Sequence, residues 1–250
     1  MKVEGEEKRY GLLLAKKEDE YVKEMYGGYF NVFVTAFGDD GERWDLFRVV
    51  EGQFPDTNDL QNYDGFVISG SPFDAYGNQD WILNLCSLLQ TLDLMNKKVL
   101  GICFGHQVLC RALGGKVRKS CTGWDIGIRK VKIMKDKSPC ISFLDGLDEN
   151  LSALSIIECH QDEVWQLPVR AEVIACSDKT NGEMFIIGDH ILGIQGHPEC
   201  NKDILNNIIA LFLINGSIEK DFAEEVKSKL EIVEPDRKCW ERICKSFLKG

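Results

Sequence analysis

The sequence predicts an α/β sandwich, with a mainly parallel sheet and helices on both of its faces. Three observations carry that prediction. Short apolar runs bounded by glycine or charge occur at Tyr10–Ala15, Phe66–Ile68 and Val99–Ile102, as expected of buried strands. Between the last two, Trp81, Leu85, Leu88 and Leu92 recur at helical spacing, one stripe of an amphipathic helix. Strand, helix, strand in that order is a βαβ unit, and such units join parallel strands.

The remaining elements follow in chain order. His106–Leu113 is a helix candidate that ends at Gly114-Gly115, a common C-terminal signal. Ile126–Met134, Leu154–Cys159 and Glu172–Ser177 have strand character. Met184–Ile187 and Ile191–Gln195 flank Gly188-Asp189-His190 and read as a hairpin. The chain then turns helical: Ile204, Ile208 and Phe212 share one face, and Ile218, Phe222, Val226 and Leu230 another. Pro235 suits a first helical turn, ahead of Trp240, Ile243 and Phe247.

The 250 residues are 44% hydrophobic and 28% charged, with a formal net charge of -10. That composition is globular and supports a substantial core. With no Lys/Arg-rich block, neither a nucleic-acid partner nor an anionic membrane surface is expected. The apolar run at Tyr10 is too short for a signal peptide and follows the acidic Glu4-Gly5-Glu6-Glu7, so a cytosolic address is expected. None of the ten cysteines forms a C-x-x-C pair; reduced thiols, with no metal site and no cofactor, are the expectation.

Gly101-Ile102-Cys103-Phe104-Gly105 places a cysteine between a strand and a helix candidate, with glycines two residues away on either side. That is the pattern of a nucleophile elbow. It projects the thiol at the carboxyl end of a strand and at the positive end of a helix, which favours the thiolate. A buried core thiol on an ordinary turn is the plain alternative.

A cysteine nucleophile needs a base, which can later protonate the leaving amine. Gln195-Gly196-His197-Pro198-Glu199 offers His197 at a strand end, with Glu199 placed to orient the imidazole. His160-Gln161-Asp162-Glu163-Val164 also follows a strand candidate, and spacing alone does not separate His160 from His197. His106 is expected at the pocket rim or in solvent, and His190 in a solvated turn. Ser69-Gly70-Ser71-Pro72 ends the neighbouring strand; an N–H there, with that of Phe104, could form an oxyanion hole. Asp74, Tyr76 and Asp80 are further candidates for a polar substrate, though a solvated surface role explains each of them better.

Together, Gly101–Gln107, the Ser69-Gly70 turn, the His160/Asp162 segment and His197-Pro198-Glu199, in that order, resemble class I glutamine amidotransferase domains. The resemblance implies a flavodoxin-like three-layer sandwich over residues 10–215, with 216–250 as a helical extension packed on the same domain. It implies a triad of Cys103, His197 and Glu199, and so chooses His197 over His160. It also implies that Gln107, His160 and Asp162 grip the substrate. The family turn usually reads Ser-Gly-Gly-Pro, and here Ser71 replaces the second glycine, so Gly70 and Ser71 both remain candidates for the oxyanion N–H.

Tyr26-Gly27-Gly28-Tyr29, Ser69-Gly70-Ser71 with Asp74-Ala75-Tyr76, Cys159–Val164 and the helical tail further resemble the plant γ-glutamyl peptidases. That group implies cytosolic hydrolysis of glutathione conjugates or related γ-glutamyl compounds, with no obligatory synthase partner. Two other readings stay open: a glutaminase subunit feeding ammonia to a separate synthase, and a non-catalytic binding module of the same fold.

Overall fold

The computed structural model describes residues 7–134, 142–144 and 152–250; the acidic stretch Glu4-Gly5-Glu6 lies outside them. Five parallel strands form the centre: β1 (Arg9–Leu14), β2 (Arg43–Arg48), β3 (Gly65–Ile68), β4 (Lys98–Ile102) and β11 (Ile191–Ile194), in the order β2-β1-β3-β4-β11. Four antiparallel strands extend the sheet beyond β11. They are β10 (Met184–Ile187), β9 (Glu172–Cys176), β6 (Asp125–Ile133) and β7 (Ala153–His160). A separate ribbon pairs β5 (Lys116–Lys119) with β8 (Asp162–Gln166).

Side chains alternate across the strands and feed two apolar layers. Leu12, Val67, Leu100, Ile102 and Leu192 pack beneath α2 (Tyr29–Phe37) and α7 (Arg237–Lys249). Leu13, Phe66, Ile68, Val99 and Ile191 pack beneath α3 (Asp80–Leu94) and α4 (Phe104–Ala112). A third cluster joins β6 and β7 to α1 (Glu20–Tyr26), α5 (Lys202–Ile214) and α6 (Lys220–Ile232) through Ile126, Ile157, Ile204, Leu205 and Val226. This is the mainly parallel three-layer sandwich expected, and its parallel half has the flavodoxin-like order. No helix among the described residues is long and apolar enough to cross a membrane.

The helical periodicities predict the elements better than the buried faces. In α3 the buried residues are Ile82, Leu85, Leu88, Leu89 and Leu92, so the helix is rolled until Trp81 is only half-buried. In α5 they are Ile204, Leu205 and Ile209, one position off the predicted stripe. Pro235 precedes the helix rather than opening it, because Asp236 is the N-cap of α7. Asp236 also latches that helix to β7: it bonds the Ser155 N–H through its carboxylate at 2.7 Å and the Ser155 carbonyl through its own N–H at 2.8 Å.

Strand β2, with the sequence RWDLFR, and helices α1 and α2 have no counterpart in the sequence reading. Edge strand β2 pairs with β1 alone and is fully buried at no position, so it needs no apolar run.

Where α4 leaves the sheet, contact is backbone to backbone. A Cβ on Gly105 would lie 2.5 Å from the Ile68 carbonyl oxygen, and one on Gly101 would lie 2.5 Å from the Gly105 carbonyl carbon. Gly105→Ala is therefore expected to cost about 1–3 kcal/mol of stability by urea denaturation, as overpacking does. Gly182→Ala, where a Cβ meets nothing within 4 Å, is the control expected to change little.

Candidate active site

Cys103 sits at the N-cap of α4 with φ 52° and ψ -103°, a conformation that non-glycine residues rarely hold and that concentrates at functional sites. Its N–H donates to the Ile194 carbonyl at 2.8 Å, which ties the elbow to β11. The Phe104 N–H, in the first turn of α4, has no partner within the helix. The Phe104 ring turns away into the core against Trp81.

The parallel register pairs Ile194 with Ile102, so the segment after β11 emerges beside the elbow. His197 lies in that segment, held by an N–H donated to the Ile157 carbonyl at 2.8 Å. His197 Nδ1 is 2.9 Å from Glu199 Oε1, both side chains being buried. Burial alone would lower the imidazole pKa. The charges of Glu199 and Cys103, with hydrogen bonding to Cys103, outweigh burial and hold it well above the ordinary value. Burial favours the neutral form of Glu199, but His197 reverses this and holds the carboxyl below its usual range.

The Ser69-Gly70 turn closes over this pair. A Cβ on Gly70 would lie 2.9 Å from His197 Cε1 and 3.7 Å from Cys103 Cβ, so only a residue without a side chain fits there. Ser69 Oγ accepts from the Ala15 N–H and donates to the Gly70 carbonyl, each at 2.9 Å. Ser71 turns its hydroxyl to the Phe73 N–H.

A cavity of about 180 Å³ opens on Cys103, lined by Ser71, Asp74, Gln107, Trp124, His160 and Asp162 among others. A larger one of about 480 Å³ runs along Arg129, Lys130 and Lys132; it shares no lining residue with the first and contains no nucleophile–base pair. Gln107 spends its amide on the Asp162 carbonyl and on Gln195 Oε1, at 3.0 and 3.1 Å. Asp162 is raised to about 6 by burial and by Asp74, and Tyr76 reaches it at 3.4 Å. Asp80 stands exposed in the first turn of α3 and does not line the cavity.

The other histidines differ from expectation. His106 is fully buried against Phe185, and burial lowers its pKa to about 3; the inner face of α4 packs on the sheet, so it reaches neither rim nor solvent. His190 is buried too, 2.9 Å from Asp93 of α3. His160 Nδ1 donates to the Asp162 carbonyl at 2.9 Å, which turns Nε2 toward Glu158 Oε2 at 3.4 Å.

Glu158 was not anticipated, nor was Glu183 beside it. Both are buried, and neither carboxyl has a well-formed hydrogen bond. Burial first, then mutual and Asp125 charge, raises the Glu158 pKa; burial leads the rise of Glu183 as well. A proton on Glu158 suits the neutral His160 facing it. A glutamate within the apolar run Leu154–Cys159 was the available signal.

The nine described cysteines are free. Among the described residues, one group of three candidate metal-ligating side chains clusters closely: His197, Glu199 and Cys200.

A flavodoxin-like sheet thus carries a cysteine on a strand-to-helix elbow beside a buried His–Glu pair. The family model described as "Glutamine amidotransferase class-I" matches residues 22–215, and the chain belongs to that family. It is 53% identical to "Gamma-glutamyl peptidase 3" of Arabidopsis thaliana over 250 residues, covering 100% of both chains. It is 54% identical to "Gamma-glutamyl peptidase 5" of the same plant, over 98% of this chain and 97% of that one. Among solved structures, a glutamine amidotransferase from Thermotoga maritima shares the fold with a TM-score of 0.71 at 20% identity, covering 98% of this chain and 100% of that one.

The buried carboxyls carry a pH prediction. Their folded pKa values lie above the ordinary value of 4.5, so over that window the fold binds more protons than the unfolded chain. Stability therefore falls as pH rises through it. Glu158→Gln removes one titrating group, and its Tm relative to wild type is expected to be higher at pH 8 than at pH 5.5. About 1 kcal/mol corresponds to about 2–4 °C in a chain of this size. A Tm difference independent of pH would contradict the anomalous titration.

Proposed function

We propose that this chain hydrolyses the γ-glutamyl amide bond of glutathione conjugates or related γ-glutamyl compounds in the cytosol, with no cofactor and no obligatory synthase partner. The observation that carries the reading is Cys103 on its strained elbow beside the buried His197–Glu199 pair. The full-length likeness to curated γ-glutamyl peptidases makes the chain an enzyme of the peptidase kind. The substrate and the residue roles are our inference.

The Cys103 thiolate attacks the δ-carbonyl carbon of the γ-glutamyl group. The oxyanion receives the Phe104 N–H and an N–H of the Gly70–Ser71 turn, donors already fixed in place. His197, whose Nδ1–H is held by Glu199, gives its Nε2 proton to the departing nitrogen as the C–N bond breaks. A γ-glutamyl thioester remains. His197 then takes a proton from water, the hydroxide adds to the thioester, and glutamate leaves as the Cys103 sulfur is released. The raised imidazole pKa keeps a proton available for the first departure.

Asp162, with Asp74 close by, is the anionic end of the cavity and suits the substrate's α-ammonium. Gln107 and His160 hold the Asp162 backbone through the bonds described above, and so shape the cavity floor. Residues 10–215 form the catalytic domain in this reading, with 216–250 as its extension.

Cys103→Ala is expected to lower turnover of a γ-glutamyl-S-conjugate by about 10⁴-fold or more. Near-normal hydrolysis by that variant would overturn the mechanism. Because Asp162 titrates near 6 and binds the ammonium only when charged, KM is expected to fall as pH rises from 5 to 7. Asp162→Asn should remove that dependence and raise KM at pH 7.5 by about 10-fold or more, the scale of a charged hydrogen bond. Rates on free glutamine and on the conjugate, compared for the chain alone, separate a hydrolase from an ammonia-donating subunit.

A further inference from the structure

Cys200 has no part in the reaction above, yet its buried thiol shares a carboxylate oxygen with His197. Glu199 Oε1 lies 2.9 Å from His197 Nδ1 and 3.6 Å from Cys200 Sγ, and the three ligand atoms fall within 4.8 Å of one another. We propose that His197, Glu199 and Cys200 form a zinc site that, when filled, switches the histidine off.

Nitrogen, oxygen and sulfur donors of this kind are those zinc takes, at about 2.0–2.3 Å and in tetrahedral geometry. Such bonds separate oxygen from sulfur by about 3.6 Å and nitrogen from oxygen by about 3.4 Å. The first separation is already present, and the second requires the His–Glu contact to open by about 0.5 Å. The charges also balance: one carboxylate and one thiolate neutralise Zn²⁺, as a buried cluster requires. The Lys16 ammonium, 3.9 Å above the Tyr29 ring, acts on Glu199 and Cys200 as well, and zinc binds against that positive charge.

A second observation concerns the other oxygen of the same carboxylate. Glu199 Oε2 is buried without a hydrogen-bond partner. A cavity of about 150 Å³, lined by Tyr26, Asn31, Val32, Thr35, Asn201 and Arg237 among others, reaches Glu199. It offers an entry path as far as Glu199 and room for a water. The sequence expectation of no metal site rests on the lack of ligand-like spacing among its histidines and cysteines, a pattern that a His-x-Glu-Cys set does not follow.

Filling the site releases the Cys200 thiol proton and the His197 Nδ1 proton to solvent, so binding weakens as pH falls. Zinc then holds Nδ1, and the imidazole is neutral with its remaining proton on Nε2. That nitrogen can no longer accept a proton, and it is a far weaker acid than an imidazolium. Both proton transfers of the hydrolysis stop. The inhibition rests on the proposed mechanism; the binding does not.

Calorimetric titration of Zn²⁺ into the full-length chain tests the binding directly. Wild type and Cys103→Ala are expected to bind one ion with dissociation constants within about threefold, while Cys200→Ser binds about 100-fold or more weakly. Circular dichroism checks the fold of Cys200→Ser. In wild type and Cys103→Ala, Co²⁺ should give the near-ultraviolet charge-transfer band of a thiolate ligand, and Cys200→Ala, a second variant at that position, should lose it. Loss of binding and of that band in Cys103→Ala, or equal binding by wild type and Cys200→Ser, would overturn the site. In a γ-glutamyl hydrolysis assay, zinc should inhibit wild type, and Cys200→Ser should need about 100-fold more. A chain that binds zinc as described but hydrolyses no γ-glutamyl amide would remove the functional reading and leave the site standing.

Discussion

Strands β4 and β11 run parallel with Leu192 beside Leu100 and Ile194 beside Ile102, and the site depends on that register. Cys103 follows β4 by one residue and His197 follows β11 by three, so both emerge at the same carboxyl edge. The Cys103 N–H on the Ile194 carbonyl locks the two exits together. A one-residue slip would turn every side chain of the strand to the other face, and both strands are buried on both faces. Core packing thus sets the thiol–imidazole geometry before any polar contact is made.

Within that frame, burial both threatens and serves the chemistry. Taking His197 and Glu199 out of water penalises each charge, and only their mutual attraction, with that of Cys103, keeps the imidazole charged. A short distance away, burial outweighs the pull of His197 on Glu158 and of Arg129 on Glu183, and both carboxyls are pushed the other way. Buried carboxyls of opposite character therefore lie near Cys103, and His160, neutral and pinned at Nδ1, faces Glu158. This division leaves His197 as the imidazole engaged with Cys103.

The helical tail belongs to the same body. Trp240, Ile243 and Phe247 of α7 join the apolar cluster that contains Leu100 and Ile102 of β4. Curated peptidase relatives match the chain over 96% or more of their own length. At 20% identity, the Thermotoga structure shows the fold alone.

Much was legible in the sequence, because periodicity and glycine spacing are local. The strands Tyr10–Ala15 and Val99–Ile102, the hairpin around Gly188, the elbow at Cys103 and the terminal helices could each be read from a few neighbouring residues. Edge strand β2 could not, since half-exposed positions impose no apolar pattern, and the roll of α3 and α5 is set by what they pack against. For the site, the residue types of Cys103, His197 and Glu199 were evident, but spacing left His160 as an equal base. His106 and His190 were misplaced because burial depends on elements distant in sequence, and the Glu158–Glu183 pair was missed for the same reason. By itself the sequence determined most of the elements and the candidate residue types, which short-range sterics and hydrophobic period encode. The resemblance chose His197, and only the tertiary structure decided how that imidazole is held beside the thiol, because this follows from pairing strands some ninety residues apart and from the desolvation that their packing imposes.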